Sequence, residues 1–293
     1  MFKLAISYLR AALYSLCIVI MLASNAYSAT WGITYPRAEF EGDTRNEYPV
    51  QLIELALEKT GVRYTVSPSK DFLLQTKSIR KLKENIEVNI IWSMTDTQRE
   101  ADLLPIRIPI AKGLIGWRMF VVNRKSAFNK STIGSFSELL AYSPVQGVDW
   151  PDTKILQSNG FNVVTAQDVL EAYSMLDKQQ ADFFPRSIIE ILEELQSLNN
   201  DNQLRVKPGL IVEYPSAMYF FVNKRNKTLA KLIETGLTRA IEDGSFDVLF
   251  DQHFGEAITF LKVDQALRFK IENPLLPIQT PIFDKHLWYQ AKN

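Results

Sequence analysis

The chain has 293 residues with 33 basic and 33 acidic side chains, and its 46% hydrophobic and 11% aromatic content is enough for a substantial core without disulfides. That charge balance gives no electrostatic ground for a nucleic acid or a membrane surface as partner. One cysteine, Cys17, and two histidines, His253 and His286, leave little for thiol, imidazole or zinc chemistry.

The first residues read MFKLAISYLRAALYSLCIVIMLASNAYSA. Lys3 and Arg10 precede an apolar stretch from Ala11 to Ala23 that is short of the ~20 residues a membrane span needs. Small residues at Ser24, Ala26 and Ser28 follow. The expectation is a signal peptide over 1–26, cleaved after Ala26, and a periplasmic mature protein. Cys17 lies inside the stretch behind Tyr14-Ser15-Leu16, a poor lipoprotein signal, so the mature chain is expected to carry neither a cysteine nor a lipid anchor. Loss of Lys3 and Arg10 takes the 33 basic residues to 31 against 33 acidic, still close to neutral.

Beyond this start, WGITY (31–35), YPVQLIELALEKTG (48–61), VRYTV (62–66), SIRKLKEN (78–85) and VNIIW (88–92) alternate short apolar runs with helical spacing. Val50, Ile53 and Leu57 recur at the helical period and Gly61 follows as a C-cap, which predicts β-α-β-α-β and a parallel sheet. A second series runs through LIGWRMFVV (114–122), a short helix FSELLAY (136–142), PVQGV (144–148), a helix from Pro151 to about Gly160, FNVV (161–164) and a helix over about 167–178. It ends on a strand from Ala181 to Phe184. Pro185 blocks that strand, Ser187 and Glu190 have capping-box spacing, and Arg186 therefore sits at a strand-to-helix junction, where open α/β sheets dock ligands. The other reading of Arg186 is a surface arginine beside a cap.

Residues 214–255 predict a strand, a helix from about Thr228 to Glu242 with Leu229, Leu232, Ile233, Leu237 and Ile241 on one face, a turn at Asp243-Gly244 and a helix ending near Gly255. Two βα series without a low-complexity linker imply two α/β lobes joined by continuous strands.

Tyr35-Pro36 at the end of the opening strand, the helix LIELALEKTG, the stretch WSMTDTQREADLLPIRIPIAKGLIGWRMFVV and the closing EDGSFDVLFDQHFG resemble the extracellular solute-binding protein family 3, the amino-acid-type periplasmic receptors of ABC importers. The resemblance covers most of residues 30–255. It implies a two-lobed periplasmic-binding-protein-like α/β fold (type II), each lobe a mostly parallel sheet flanked by helices. Lobe 1 takes 27–115 and 214–293, lobe 2 takes 116–213, and the chain crosses near Gly113–Arg118 and Val212–Ser216. It also implies a monomer that binds a small-molecule ligand, partners a membrane permease, and carries no cofactor or metal. The proline-containing tail 273–293 exceeds the family's usual end and is expected as an irregular strap against lobe 1.

Family members clamp a ligand carboxylate with an arginine after the third lobe-1 strand. Arg99 matches it, at the start of a short helix where Thr97 and Glu100 have capping-box spacing. A planar guanidinium offers a carboxylate two hydrogen bonds, and a helix N-terminus adds backbone donors. The family's donor threonine three residues earlier is Asp96 here, with Thr95 and Thr97 on either side. The family's acid for the ligand ammonium is replaced by Arg186 or Ser187, which favours an anionic ligand. Tyr35, Trp92, Trp117 and Trp150 fall at strand ends or the hinge, where rings pack in a core or cover a ligand. Asp149 either caps the helix that Pro151 opens or faces the ligand.

No Walker loop, GxGxxG or DxDxDG-like loop is present, so the expectation is a binding protein and not an enzyme. Two alternatives stay open. One is a dehydratase on the same fold with Asp96 or Asp149 as general acid, and the other is an extracytoplasmic sensor subunit working with a separate membrane partner.

Overall fold

The computed structural model describes residues 30–37, 44–197 and 203–291, and the signal-peptide reading of residues 1–26 lies outside them. Strand β1 (Trp31–Arg37) pairs in parallel with β2 (Tyr64–Phe72), with helix α1 (Glu47–Thr60) between them in the chain. The apolar period of α1 buries Leu52, Ile53, Ala56 and Leu57, and Gly61 ends it at φ 71°, a left-handed position open to a residue without Cβ. Helix α2 (Gln75–Glu84), β3 (Ile90–Met94), α3 (Thr97–Asp102) and β4 (Leu104–Ile106) complete this half. After a helical turn at 114–116 the chain enters β5 (Trp117–Asn123).

The second half contains α4 (Ala127–Lys130), α5 (Phe136–Leu139), β6 (Val145–Gly147), α6 (Pro151–Ser158), β7 (Val164–Ala166), α7 (Val169–Asp177), β8 (Phe184–Ser187), α8 (Ile191–Ser197) and β9 (Leu204–Glu213). Strand β10 (Met218–Val222) then returns to the first half and pairs with both β3 and β4, before α9 (Lys227–Glu242) and α10 (Ser245–Phe260). The apolar face of α9 packs on α1 so closely that a Cβ at Gly236 would overlap the Ala56 carbonyl.

The sheets are mixed and not mostly parallel. Pairs β1–β2, β6–β7 and β9 with β11 (Leu267–Lys270) are parallel, whereas β10 runs against β3 and β4, and β5 runs against β8 and β9. The physical reason is the double crossing: β5 leaves one half and β9 leads back, so these hinge strands meet head to tail.

Two local readings are corrected. The strand at the Arg186 junction is Phe184–Ser187, so Pro185 and Arg186 lie inside it, opposite Phe120 and Met119. Pro185 is tolerated because β8 is the terminal strand of its four-stranded sheet. No helix begins at Ser187; its hydroxyl donates to the Leu114 carbonyl at 2.9 Å and α8 starts only at Ile191. Likewise α3 is capped by Asp96, whose Oδ1 accepts from the Arg99 N–H at 2.8 Å, and not by Thr97. Asp96 sits at the position with extended backbone just before the helix, where a capping carboxylate reaches the free N–H groups.

The tail 273–293, expected against lobe 1, follows a segment that packs on the other half. Strand β11 (Leu267–Lys270) extends the β9 sheet, and Asn159 and Glu272 exchange hydrogen bonds there. The chain then runs back: Leu275 accepts from the Thr97 N–H, Tyr289 N–H donates to the Lys112 carbonyl at 2.8 Å, and Trp288 packs against Gly113 and the Leu73–Phe221 apolar cluster.

Candidate functional site

The carboxyl ends of β1 and β3 face the start of α6 and the end of β8 across a cavity of about 180 Å³. Arg37, Arg45, Gln75, Trp92 and Arg99 line it on the first half, and Arg118, Trp150, Asp152, Arg186 and Glu190 on the second. Its volume, below the roughly 300–1,000 Å³ of drug-sized sites, suits a small solute.

Charge dominates the wall, and most of it is paired internally. Arg186 is 4% exposed, and one edge of its fork meets Glu194 in a bidentate pair, Nε to Oε2 at 2.7 Å and Nη2 to Oε1, with Glu190 Oε2 at 3.2 Å from Nη2. Burial works against the charge of Arg186, but the carboxylates of Glu190 and Glu194 outweigh it and hold the guanidinium above its ordinary pKa. Arg118 sits beside it, with Nη2 2.6 Å from Asp152 Oδ1, Nη1 3.2 Å from Glu190 Oε2, and Nε donating to the Tyr214 hydroxyl at 2.9 Å. Tyr214 in turn donates to Asp152. Each buried charge therefore meets the pairing that makes its burial tolerable.

Arg99 is also enclosed. Its Nη1 donates to the Met94 carbonyl at 2.6 Å, its Nη2 to Gln75 Oε1 at 2.7 Å, and Asp96 Oδ2 lies 3.4 Å away. Burial pulls its pKa down, and Asp96 and Asp152 oppose that shift. Asp96, standing where the family has a threonine, supplies the negative charge that a ligand carboxylate was expected to bring.

Three contacts span the cavity. Arg45, just before α1, reaches Glu194 Oε1 at 3.1 Å; Thr44 donates to Glu193 Oε2 at 3.3 Å; and on the other flank Thr76 donates to Asp149 Oδ2 at 3.0 Å. The two halves are thus clasped on both sides. Outside the Thr76–Asp149 contact lies a second groove of about 330 Å³, bordered by Arg80, Trp150 and Asp168.

Of the residues singled out in the sequence, Trp92, Arg99, Trp150 and Arg186 line the cavity. Trp150 is the N-cap residue of α6, stacked on Phe184 at 6.2 Å with the Arg186 guanidinium 5.1 Å from its ring. Asp149 does not cap α6; it holds Thr76 at the mouth. Tyr35 leans on Trp92 at 5.7 Å outside the cavity lining. Thr95 is buried and donates to Glu100 Oε1 at 2.8 Å, Thr97 is exposed, and Ser187 is fully buried. Trp117 faces the tail, edge-on to Tyr289 at 5.8 Å with Arg268 5.0 Å away. Neither Asp96 nor Asp149, the two general-acid candidates, lines the cavity between the halves.

Sequence reading missed Arg37, Arg45, Gln75, Arg118, Asp152 and Glu190. Glu190 had been assigned to a cap, and Asp152 is indistinguishable from any acid in a helix first turn. Arg118 alone carried a signal, as a charge inside an otherwise apolar hinge strand.

No family profile and no curated protein sequence matches the chain. Solved structures do. An ancestral arginine-binding protein bound to arginine is 15% identical, covering 77% of this chain and 98% of its own, with a TM-score of 0.57. A Salmonella typhimurium periplasmic binding protein described as having high arginine specificity is 15% identical over 77% of this chain and 99% of its own, TM-score 0.54. A histidine kinase sensor domain with similarity to periplasmic binding proteins is 13% identical over 79% and 98%, TM-score 0.55. This chain therefore has the two-lobed α/β fold of the periplasmic binding proteins.

Proposed function

We propose that the protein is an exported solute-binding protein that closes two lobes on a small carboxylate-bearing or amino-acid-like solute and presents it to the membrane permease of an ABC importer, acting as a monomeric binder and not as an enzyme. The observation that carries this reading is the small, charge-lined cavity at facing strand ends, clasped from both sides by Arg45–Glu194 and Thr76–Asp149. Ligands of open α/β sheets dock at such ends. The lobes divide at 27–115 with 214–293 and at 116–213, and the mature chain starts after Ala26 in the periplasm. Structural neighbours with amino-acid ligands support the solute class.

A thermal-shift screen of the mature protein with amino acids, dicarboxylates, aromatic acids and sugars tests it. A ligand at a hundred times its dissociation constant stabilises by about 2.7 kcal/mol. Failure of every class to raise the melting midpoint overturns the solute-binding reading. The likeness to a histidine kinase sensor domain favours a second reading, a sensor subunit with a separate membrane partner. Loss of solute uptake on deleting the protein selects the importer; intact uptake with loss of a solute-dependent response selects the sensor.

A further inference from the structure

We infer that the anion anchor of the cleft is Arg37, the last residue of β1, and that it takes the carboxylate of the bound solute. This rests on the solute-binding reading and deepens it. The other arginines of the wall are committed to the chain itself: Arg99 to Met94, Gln75 and Asp96, Arg118 to Asp152 and Glu190, Arg186 to Glu190 and Glu194, and Arg45 to Glu194. An incoming carboxylate at any of them would compete with a buried carboxylate already in place.

Arg37 is different. Its backbone N–H donates to Ser69 Oγ at 2.9 Å, its Nε donates to the Ser69 carbonyl at 3.0 Å, and its guanidinium lies 6.0 Å from the Phe72 ring. One edge of the fork is therefore pinned to β2. Nη1 and Nη2 have no hydrogen-bond or ion-pair partner among the described residues, and the side chain is half-buried in the cavity wall. A guanidinium fixed at one edge with its terminal donors unused is pre-organised for a carboxylate, because little side-chain freedom is lost on binding. The acids that line the same cavity are engaged elsewhere, Asp152 and Glu190 by Arg118 and Glu193 by Thr44.

Calorimetry on the mature protein with succinate, L-glutamate, succinamide, putrescine and D-glucose tests the assignment. The expected result is that wild type binds succinate or L-glutamate, and that Arg37→Ala and Arg37→Gln each weaken that binding about 30-fold or more while the protein still unfolds cooperatively, with a midpoint lowered only by the loss of the Ser69 contact. Succinamide, the neutral counterpart of succinate, provides a readout that needs no variant: wild type should bind it at least about 30-fold more weakly than the better of the two acids. If an acid binds and the Arg37 variants bind it equally well, or if succinamide matches the acid, the anchor is overturned while solute binding stands. Binding of putrescine or D-glucose alone has the same meaning. Should none of the five probes bind but the thermal-shift screen find a ligand without a carboxylate, the anchor falls and solute binding survives; if that ligand is another acid, the Arg37 variants are compared on it, and equal binding overturns the anchor.

Discussion

Arg186 and Glu194 form a bidentate ion pair across eight residues of chain, joining the end of β8 to α8, and the partners are 4% and 1% exposed. An arginine that looks from its sequence position like a ligand clamp is in the fold a structural tie. Removing one member leaves a buried charge unpaired, which costs about 3–5 kcal/mol. Arg186→Ala should therefore lower the urea-unfolding free energy by that order, and Arg186→Met combined with Glu194→Met should cost less than either single change to alanine. A fully stable Arg186→Ala protein that has lost only ligand affinity would return Arg186 to the ligand site.

The same pair gives stability a pH dependence. Burial pushes the Glu194 carboxyl up, but Arg186 and Arg45 outweigh burial and hold its pKa below the ordinary carboxylate value. A carboxyl whose folded pKa is depressed contributes stability that is present above its unfolded pKa, about 4.3, and lost as pH falls below that toward the folded pKa. Urea midpoints measured from pH 7 down to pH 3 should fall more steeply in wild type than in Glu194→Gln. Parallel acid limbs would mean that Glu194 is not held in its charged form by these arginines.

The clasp across the cleft is testable separately from the ligand. Arg45→Ala removes the bridge to Glu194 but leaves Glu194 paired with Arg186, so no buried carboxylate is stranded. The loss in stability should stay near 1 kcal/mol, while ligand-free molecules open. Small-angle X-ray scattering of the ligand-free variant should give a larger radius of gyration than wild type, and added Thr76→Ala should increase it further. Identical scattering from all these proteins would rule out the clasp as a determinant of closure.

How much of this was legible in the sequence depends on the range of the interaction. Leu229, Ile233 and Leu237 on α9 and Gly61 after α1 were readable because helical period and the left-handed cap are local properties. The βα alternation placed Trp92, Arg99 and Trp150 near strand-to-helix passages, but Trp92 lies in the middle of β3, Arg99 inside α3 and Trp150 at the N-cap of α6, none of them at a strand end. What failed was pairing. Glu194 is met by Arg45 from 149 residues away, and Thr76 by Asp149 from 73 residues away, separations at which no spacing rule operates. Asp96 gave a clear local sign, since it stands where a ligand-donating threonine was expected, yet its effect on Arg99 needed the burial of both. Arg37 gave no sign at all, because terminal donors left unused among the described residues are recognised only by the partners they lack.

The tail provides the last test, at the hinge. Gly113 has φ 77°, and a Cβ there would overlap the ring of Trp288, whose indole N–H donates to the Pro281 carbonyl at 2.8 Å. Two penalties meet at this glycine. The left-handed backbone costs any residue with a Cβ roughly 1 kcal/mol or more, whereas the overlap exists only while the indole is present. Gly113→Ala should therefore destabilise by about 2–4 kcal/mol, within the range of overpacking plus backbone strain. Trp288→Ala should cost about 2 kcal/mol, from lost burial of a half-buried ring. In the double variant the overlap disappears and only the backbone term and the lost packing remain, so its cost should be less than the two single costs added. Denaturant unfolding of the four proteins measures that coupling. Strict additivity would show that the Trp288 ring does not rest on Gly113 in solution, and the strap from β11 back to the hinge would then lose its anchor.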